Sequence, residues 1–309
     1  MRIAEIHSSE LTASCMRKVY HRSVGEISGE ATTALYRGLV AGRAMELLHL
    51  GGFDQDPSEV TIAAAADTQK QLNEENRALS DAVENNRADI LAEVTVAVVL
   101  YCDRFSAKFE QCDLIGAELP ARYSLDFGGV KKEFASHFDL MVRDRNNVFG
   151  YGAGRLIVFD WKWREASPSH QYLARNMQFA LYYLMVAEGS VGVNVEAGEI
   201  GWVDFTEPPV LIWFHLPALK PYSRRTISKN DLGEEQEFVK GDLKPTRSIL
   251  HPVLYEPSQV PRIKQELAMR VNMIENDIFP LNPDPVSCRI CDAEAFCTRF
   301  DTAHIGDSQ

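Results

Sequence analysis

Asp160 and Lys162 stand in RLIVFDWKW, among Leu156, Ile157, Val158, Phe159, Trp161 and Trp163. Residues two apart on a strand face the same side, so this carboxylate and this ammonium share one face. A charge in apolar surroundings is costly unless it is paired or bound to a metal. An isolated D-x-K is satisfied as a structural ion pair. About twenty residues earlier, ASHFDLMVRD sets Asp139 at the centre of another apolar strand. That second carboxylate shifts the reading from an ion pair towards a functional site. Downstream, QYLARNMQFALYYL carries Gln178 and Tyr182 at i, i+4, hence on one helical face. Taken alone, that pair is ordinary packing.

Cysteines form the second chemical group. Cys288, Cys291 and Cys297 make a C-x2-C-x5-C cluster, and Cys15 stands alone near the start. In a reducing compartment such a cluster suggests metal binding. Four thiolates, Cys15 included, suit either structural zinc or a [4Fe–4S] cluster. Cys102 and Cys112 read as small buried hydrophobes.

The elements that must position these groups follow from periodicity. Residues 30–50, 58–84 and 87–106 read as helices, the first broken after Leu50 by Gly51, Gly52 and Pro57. Segments 112–126, 133–143 and 154–163 are short, rich in Val, Ile, Phe and Tyr, and read as a strand meander. Residues 168–188 return to a helix, and strand-like pieces follow at 199–205 and 209–216. The polar stretch 218–250 reads as a long loop or extended hairpin, and 258–276 as a last amphipathic helix. This order predicts a mixed α/β core. The expected division is an N-terminal helical part at 1–110 carrying Cys15, a core at 111–217, and a C-terminal part at 218–309 packed with the N-terminus.

The chain has 309 residues, 45% hydrophobic and 25% charged, which excludes a disordered or fibrous protein. No apolar run reaches the ~18 residues that span a bilayer. MRIAEIHSSE carries Glu5 and Glu10 and has no long apolar core, unlike a secretory signal. The expectation is a soluble, cytoplasmic protein. Its net charge of -12 excludes a generally basic nucleic-acid coat but not a local basic cleft.

In identity, order and approximate spacing, Asp139, then Asp160-x-Lys162, then Gln178-x-x-x-Tyr182, resemble the PD-(D/E)xK nuclease superfamily. One cysteine ahead of this core and C-x2-C-x5-C after it resemble its RecB-like branch, which holds a four-cysteine iron–sulfur cluster. The CRISPR-associated adaptation nucleases and the AddB nuclease domain belong to that branch. The resemblance implies a restriction-endonuclease-like core: a mixed central sheet flanked by helices, with an iron–sulfur part at the C-terminus. It implies a metal-dependent deoxyribonuclease, an exonuclease on single strands or ends. Asp139 and Asp160, with the Trp161 carbonyl and Glu118, would hold Mg²⁺ or Mn²⁺, hard cations that suit oxygen ligands. Lys162 would orient the attacking water, and Gln178 and Tyr182 would position the strand or the water. Lys131, Lys132, Arg155, Arg164 and Arg175 are the nearby basic residues that could meet phosphates. Cys15, Cys288, Cys291 and Cys297 would hold the 4Fe–4S cluster, with zinc as the alternative. The partners implied are DNA and a protein complex of repair, recombination or CRISPR type, with no membrane. One departure stands out. The family's G-x-x-H becomes Gly42-Arg43-Ala44-Met45 here, with Glu46, His49 and Glu118 as the candidates to replace the histidine. His137, two residues before Asp139, shares its face but reads as structural. The alternative function is an inactive or weakly active binding or assembly subunit that keeps the fold.

Overall fold

The computed structural model describes residues 5–7, 30–127, 130–164, 166–194, 199–229 and 235–276. Cys15, Cys288, Cys291 and Cys297 lie outside the described residues.

After a short strand, β1 (Glu5–His7), come four helices: α1 (Thr33–Gly51), α2 (Pro57–Glu74), α3 (Asp81–Asn85) and α4 (Arg87–Phe109). Thr32 caps α1 through Leu35 N–H, and Asp56 with Pro57 starts α2. The single helix expected over 58–84 is two. Asn76 turns left-handed at φ 53°, and Ala31 then bonds Ala78 and Ser80 through its backbone. That pairing draws the chain out of α2 before α3 begins.

The meander follows as β2 (Cys112–Phe127), β3 (Val130–Asp144) and β4 (Arg155–Lys162). The helix expected over 168–188 is also two, α5 (His170–Ala174) and α6 (Met177–Ala187). Asn176 divides them by capping α6: its side chain accepts from Gln178 N–H at 2.9 Å. Then come β5 (Ser190–Asn194), β6 (Ile200–Val203) and β7 (Val210–His215). Within the polar stretch, β8 (Thr226–Lys229) and β9 (Glu235–Phe238) form a separate hairpin. β10 (Leu250–Val253) rejoins β7, and α7 (Val260–Glu275) closes the described chain. Among the described residues, no helix is long and apolar enough to cross a membrane.

The architecture is mixed α/β: a central, mostly antiparallel sheet flanked by helices. Its strand order is β10-β7-β4-β3-β2-β5-β6. β4–β7 is parallel, as is β1 with the far half of β3. A parallel pair needs a crossover, which the chain between β4 and β7 supplies.

Strand alternation divides the core. Ile157, Phe159 and Trp161 of β4 pack with Val40, Met45, Val98 and Tyr101 of the N-terminal helices. Leu156 and Val158 pack on the other side with Phe179, Leu184 and, from α7, Leu267. Asp160 and Lys162 share the parity of this second set, so both point to the α6 side.

Candidate active site

The alternation slips twice on β2, first at a bulge between Leu114 and Gly116 and again beside the site. On β2, Ala117 packs with the N-terminal helices, yet Leu119 packs on the α6 side. On β3, Leu140 and Phe138 do the same. Between them Glu118 and Asp139 occupy opposing register positions, flanked by the pairs Ala117↔Leu140 and Leu119↔Phe138. Glu118 takes φ 49°, a left-handed conformation that costs a non-glycine residue about 1–2 kcal/mol. Irregularities of this kind re-aim side chains beside functional sites. Here the slip turns two carboxylates towards one cleft.

That cleft has a volume of about 830 Å³. One wall is α1 and α2, with Leu39, Arg43 and Glu46 on the first and Asp67 and Lys70 on the second. The other wall is the sheet end, with Glu118, His137, Asp139, Trp161, Lys162, Trp163 and Arg164. Asp160 lies beneath, fully buried. Lys162 Nζ stands 2.7 Å from each of its carboxylate oxygens and hydrogen-bonds Oδ1. Oδ2 makes that ionic contact but accepts no hydrogen bond. Just past the β3–β4 ladder, which ends at Leu140↔Phe159, the Trp161 amide donates to Asp139 Oδ2 at 2.6 Å. A strand residue's carbonyl leaves on the same edge as its amide. The Trp161 carbonyl therefore also faces Asp139, while its indole stacks on His49 in the core.

Gln178 and Tyr182 support this arrangement from α6. Gln178 Nε2 donates to Tyr182 Oη at 2.8 Å, and the buried Tyr182 hydroxyl donates to the His137 carbonyl at 3.0 Å. Asp160 Oδ1 lies 3.5 Å from the same hydroxyl, a long contact beside the shorter one. The motif thus ties α6 to β3 and β4. His137 itself is exposed in the cleft.

Burial and crowding of like charge set the electrostatics. Burial, then Asp160 and Glu118, hold the Asp139 carboxyl well above its usual range. Burial also raises Asp160, against the pull of Lys162. Glu118 is pushed up to about 7, by burial first and then by Glu46. Glu118 opens into the cleft. For Lys162, burial alone lowers the pKa, but Asp160 and Asp139 outweigh it and the net shift is upward.

A divalent cation relieves this kind of crowding. Among the described residues, no group of three or more His, Cys, Asp or Glu side chains is drawn together tightly enough to cage a metal ion. An open site suits the residues better. Mg²⁺ is commonly held by one or two carboxylates with water and substrate completing the shell. Asp139, Asp160, whose Oδ2 meets Lys162 but accepts no hydrogen bond, and the Trp161 carbonyl could provide such a donor set.

The three candidates for the missing histidine separate cleanly. Met45 is fully buried in the core. His49 stands among Phe53, Tyr101 and Phe109, bonded to Tyr101 Oη at 2.7 Å, and burial pushes its pKa down to about 3. It is a neutral core imidazole that does not line the cleft. Glu46 and Glu118 both do. Glu46 is held at 2.5 Å by Arg43, which also reaches Asp67 on α2 at 2.7 Å. Of the five basic residues named from sequence, Arg164 lines the cleft. Arg155 sits at the far end of β4, opposite Asp144, and Lys131 pairs with Glu133. The contribution of α2 escaped the sequence reading, although Asp67, Lys70, Gln71 and Glu74 form a polar i, i+3, i+4, i+7 stripe on an Ala-rich helix.

The family model of the PD-(D/E)XK nuclease superfamily matches residues 7–298. The chain belongs to that superfamily. A search of curated proteins gave no significant match. Among solved structures, the crystal structure of SSO0001 is similar at 12% identity, covering 96% of this chain and 87% of that one, with a TM-score of 0.38. A likeness that low carries no argument. Family membership gives the D-x-K and Q-x-x-x-Y constellation a chemical context that geometry alone does not supply.

One prediction arises here. Glu46→Ala is expected to weaken Mn²⁺ binding, read by calorimetric titration, by about tenfold or more. Met45→Ala should leave that affinity unchanged and cost about 2–5 kcal/mol of stability as a core cavity. His49→Ala should likewise lower stability and spare the metal. Wild-type Mn²⁺ affinity in Glu46→Ala would remove Glu46 from the shell.

Proposed function

We propose that the protein is a Mg²⁺- or Mn²⁺-dependent deoxyribonuclease, an exonuclease acting on single strands or DNA ends. The observation that carries this reading is Asp139 and Lys162 lining one cleft with Asp160 buried beneath them, its Oδ2 in ionic contact with Lys162 but without a hydrogen bond. Asp139, Asp160, Glu118 and the Trp161 carbonyl would hold the metal, which when bound would supply activation of a water and neutralisation of phosphate charge. Lys162 orients that water and offsets the charge that develops on the phosphate. Tyr182, steadied by Gln178, fixes the carbonyl of His137 and thereby the strand that presents Asp139. The direct test is an assay of end-labelled single- and double-stranded DNA with Mg²⁺ or Mn²⁺. Shortening from an end supports the exonuclease, internal products alone would replace it with an endonuclease, and no cleavage with any divalent metal would overturn the enzyme. The second reading, a non-catalytic binding or assembly subunit, rests on Met45. Against it, Glu46 lines the cleft and would join the metal ligands in the histidine's place.

The same proposal extends to the chain ends. Cys15, Cys288, Cys291 and Cys297 hold a [4Fe–4S] cluster of the RecB-like type, and 1–110, 111–217 and 218–309 serve as helical part, nuclease core and cluster part. DNA is the substrate, and a repair, recombination or CRISPR-type complex is the setting. Anaerobically purified protein is expected to be brown and to carry about four irons. Alanine at any of the four cysteines should bleach it. Cys102→Ala and Cys112→Ala should keep the colour, since Cys102 is half-buried and Cys112 is buried with its thiol turned to the Lys108 carbonyl. A colourless protein with one zinc would replace the cluster and leave the nuclease reading intact.

A further inference from the structure

Arg164 follows Lys162 by two residues, at most ~7 Å further along the backbone, and lines the same cleft. Its guanidinium lies 5.3 Å from the ring centre of Tyr172 and 5.8 Å from that of Trp213. Its carbonyl can only accept, so the His215 Nε2 found 2.7 Å away donates to it. That leaves His215 Nδ1 to accept from the Ser167 hydroxyl at 3.1 Å. Arg164 is thus fixed at both its backbone and its head group.

Among the described residues no carboxylate stands within ion-pair distance of Arg164. Arg43, Lys162, Arg37 and Lys220 each hold one. A preordered cation in a cleft, with no counter-ion among the described residues, is set for an anion from outside. Between the two cations, Trp163 lines the cleft half-buried. Arg37 and Lys220 lie over its ring at 5.7 and 5.4 Å, and both are joined to Glu93 on α4. Across the cleft, α1 presents Leu35 and Leu39.

Lys162 and Arg164 lean to the α6 side and Trp163 to the α1 side, so cations and an aromatic alternate across the sheet end, as phosphates and flat apolar bases alternate across a single nucleotide strand. The cleft volume of about 830 Å³ falls in the ~300–1,000 Å³ range of small-ligand sites. It has room for a few nucleotides of one strand and not for the body of a duplex. We propose that Trp163 and Arg164 form the track along which an unpaired DNA strand enters the site, with Arg164 holding a phosphate beyond the scissile one and Trp163 supporting the adjoining nucleotide.

Because this track leads into the site read above as a nuclease centre, binding and cleavage are measured separately. Binding of a short fluorescent oligo(dT), and of a duplex of equal length, is followed by anisotropy in EDTA over a salt series. Arg164→Gln is expected to weaken oligo(dT) binding about tenfold and to flatten the plot of log K against log salt by about 0.7, one single-strand phosphate contact. Arg164→Lys should restore the slope, which a merely structural role would not do. Trp163→Ala should lose about tenfold on oligo(dT) and little on the duplex. Unchanged affinity and slope in Arg164→Gln would overturn the track, as would wild-type protein that prefers the duplex or binds neither probe. Cleavage by wild type with Arg164→Gln binding normally sinks the track alone. A flattened slope in a wild type that never cleaves keeps the track and sinks the nuclease reading.

Discussion

Asp160→Asn is expected to leave the protein folded and to abolish the DNA cleavage proposed for it, with a loss on the order of 10³-fold, the scale expected when a catalytic electrostatic contact is removed. The substitution is nearly isosteric, so the fully buried site keeps its packing. It removes the charge that Lys162 Nζ meets at 2.7 Å and the Oδ2 that has no hydrogen bond. Lys162 keeps 26% of its side chain exposed, so its ammonium stays hydrated when its partner is neutralised. Lys162→Ala is expected to give the same loss for the converse reason: the charge proposed to orient the water is gone, while Asp160 takes up a proton in its buried place and the fold survives. Tyr182→Phe is the graded control. It removes a hydroxyl that donates to a carbonyl and not to the reacting groups, so its effect is smaller and falls on stability as well as rate. The measurement is single-turnover cleavage of end-labelled DNA in Mn²⁺, with thermal unfolding alongside. Asp160→Asn cutting at the wild-type rate would show that the assigned site is wrong.

The sequence disclosed this site where chemistry conflicts with local pattern. Asp139, Asp160 and Lys162 are charges in runs whose period demands apolar residues, and the structure brings Asp139 and Lys162 to one cleft with Asp160 buried beneath it. Gln178 and Tyr182 were legible through helical spacing, and they do bond each other. The elements were legible to within a few residues where periodicity is strong, as in α1, α4 and β2 to β4. Two helix breaks escaped, because Asn76 and Asn176 act through a left-handed turn and a cap that no apolar period reports. The slip at Glu118 and Asp139 escaped as well. It depends on two strands changing face together, which is a property of their pairing. His49 was equally ambiguous in one dimension. Only its packing against Tyr101 and Phe109 makes it a core residue.

Crowded carboxylates make the metal-free protein less stable as pH rises, and a divalent cation reverses the trend. Asp139, Asp160 and Glu118 all have raised pKa values: Asp139 by burial and then by Asp160 and Glu118, Asp160 by burial, and Glu118 by burial and then by Glu46 and Asp160. In the unfolded chain such groups titrate near ~4. Folded, they hold their protons to higher pH, so the folded state binds more protons through the interval between. Stability then falls with pH across that interval. The contribution of Glu118 is complete below its unfolded value and is lost as pH rises through about 7. Lys162 is raised too, but its stabilisation persists to pH values above this window and does not alter the sign. Mn²⁺ binds the ionised form, and a hundredfold excess over Kd stabilises by about 2.7 kcal/mol. Protons compete for the same oxygens, so the metal's effect grows from pH 5.5 to pH 8. The measurement is thermal unfolding across that range in EDTA and in Mn²⁺, with Glu118→Gln as reference because its amide carries no titrating proton. In EDTA, wild type should lose stability relative to Glu118→Gln as pH rises. In Mn²⁺ the order should invert, since the variant lacks a ligand. A metal shift that is larger at pH 5.5 than at pH 8, or parallel EDTA curves for the two proteins, would show that these carboxylates neither crowd nor gather the cation.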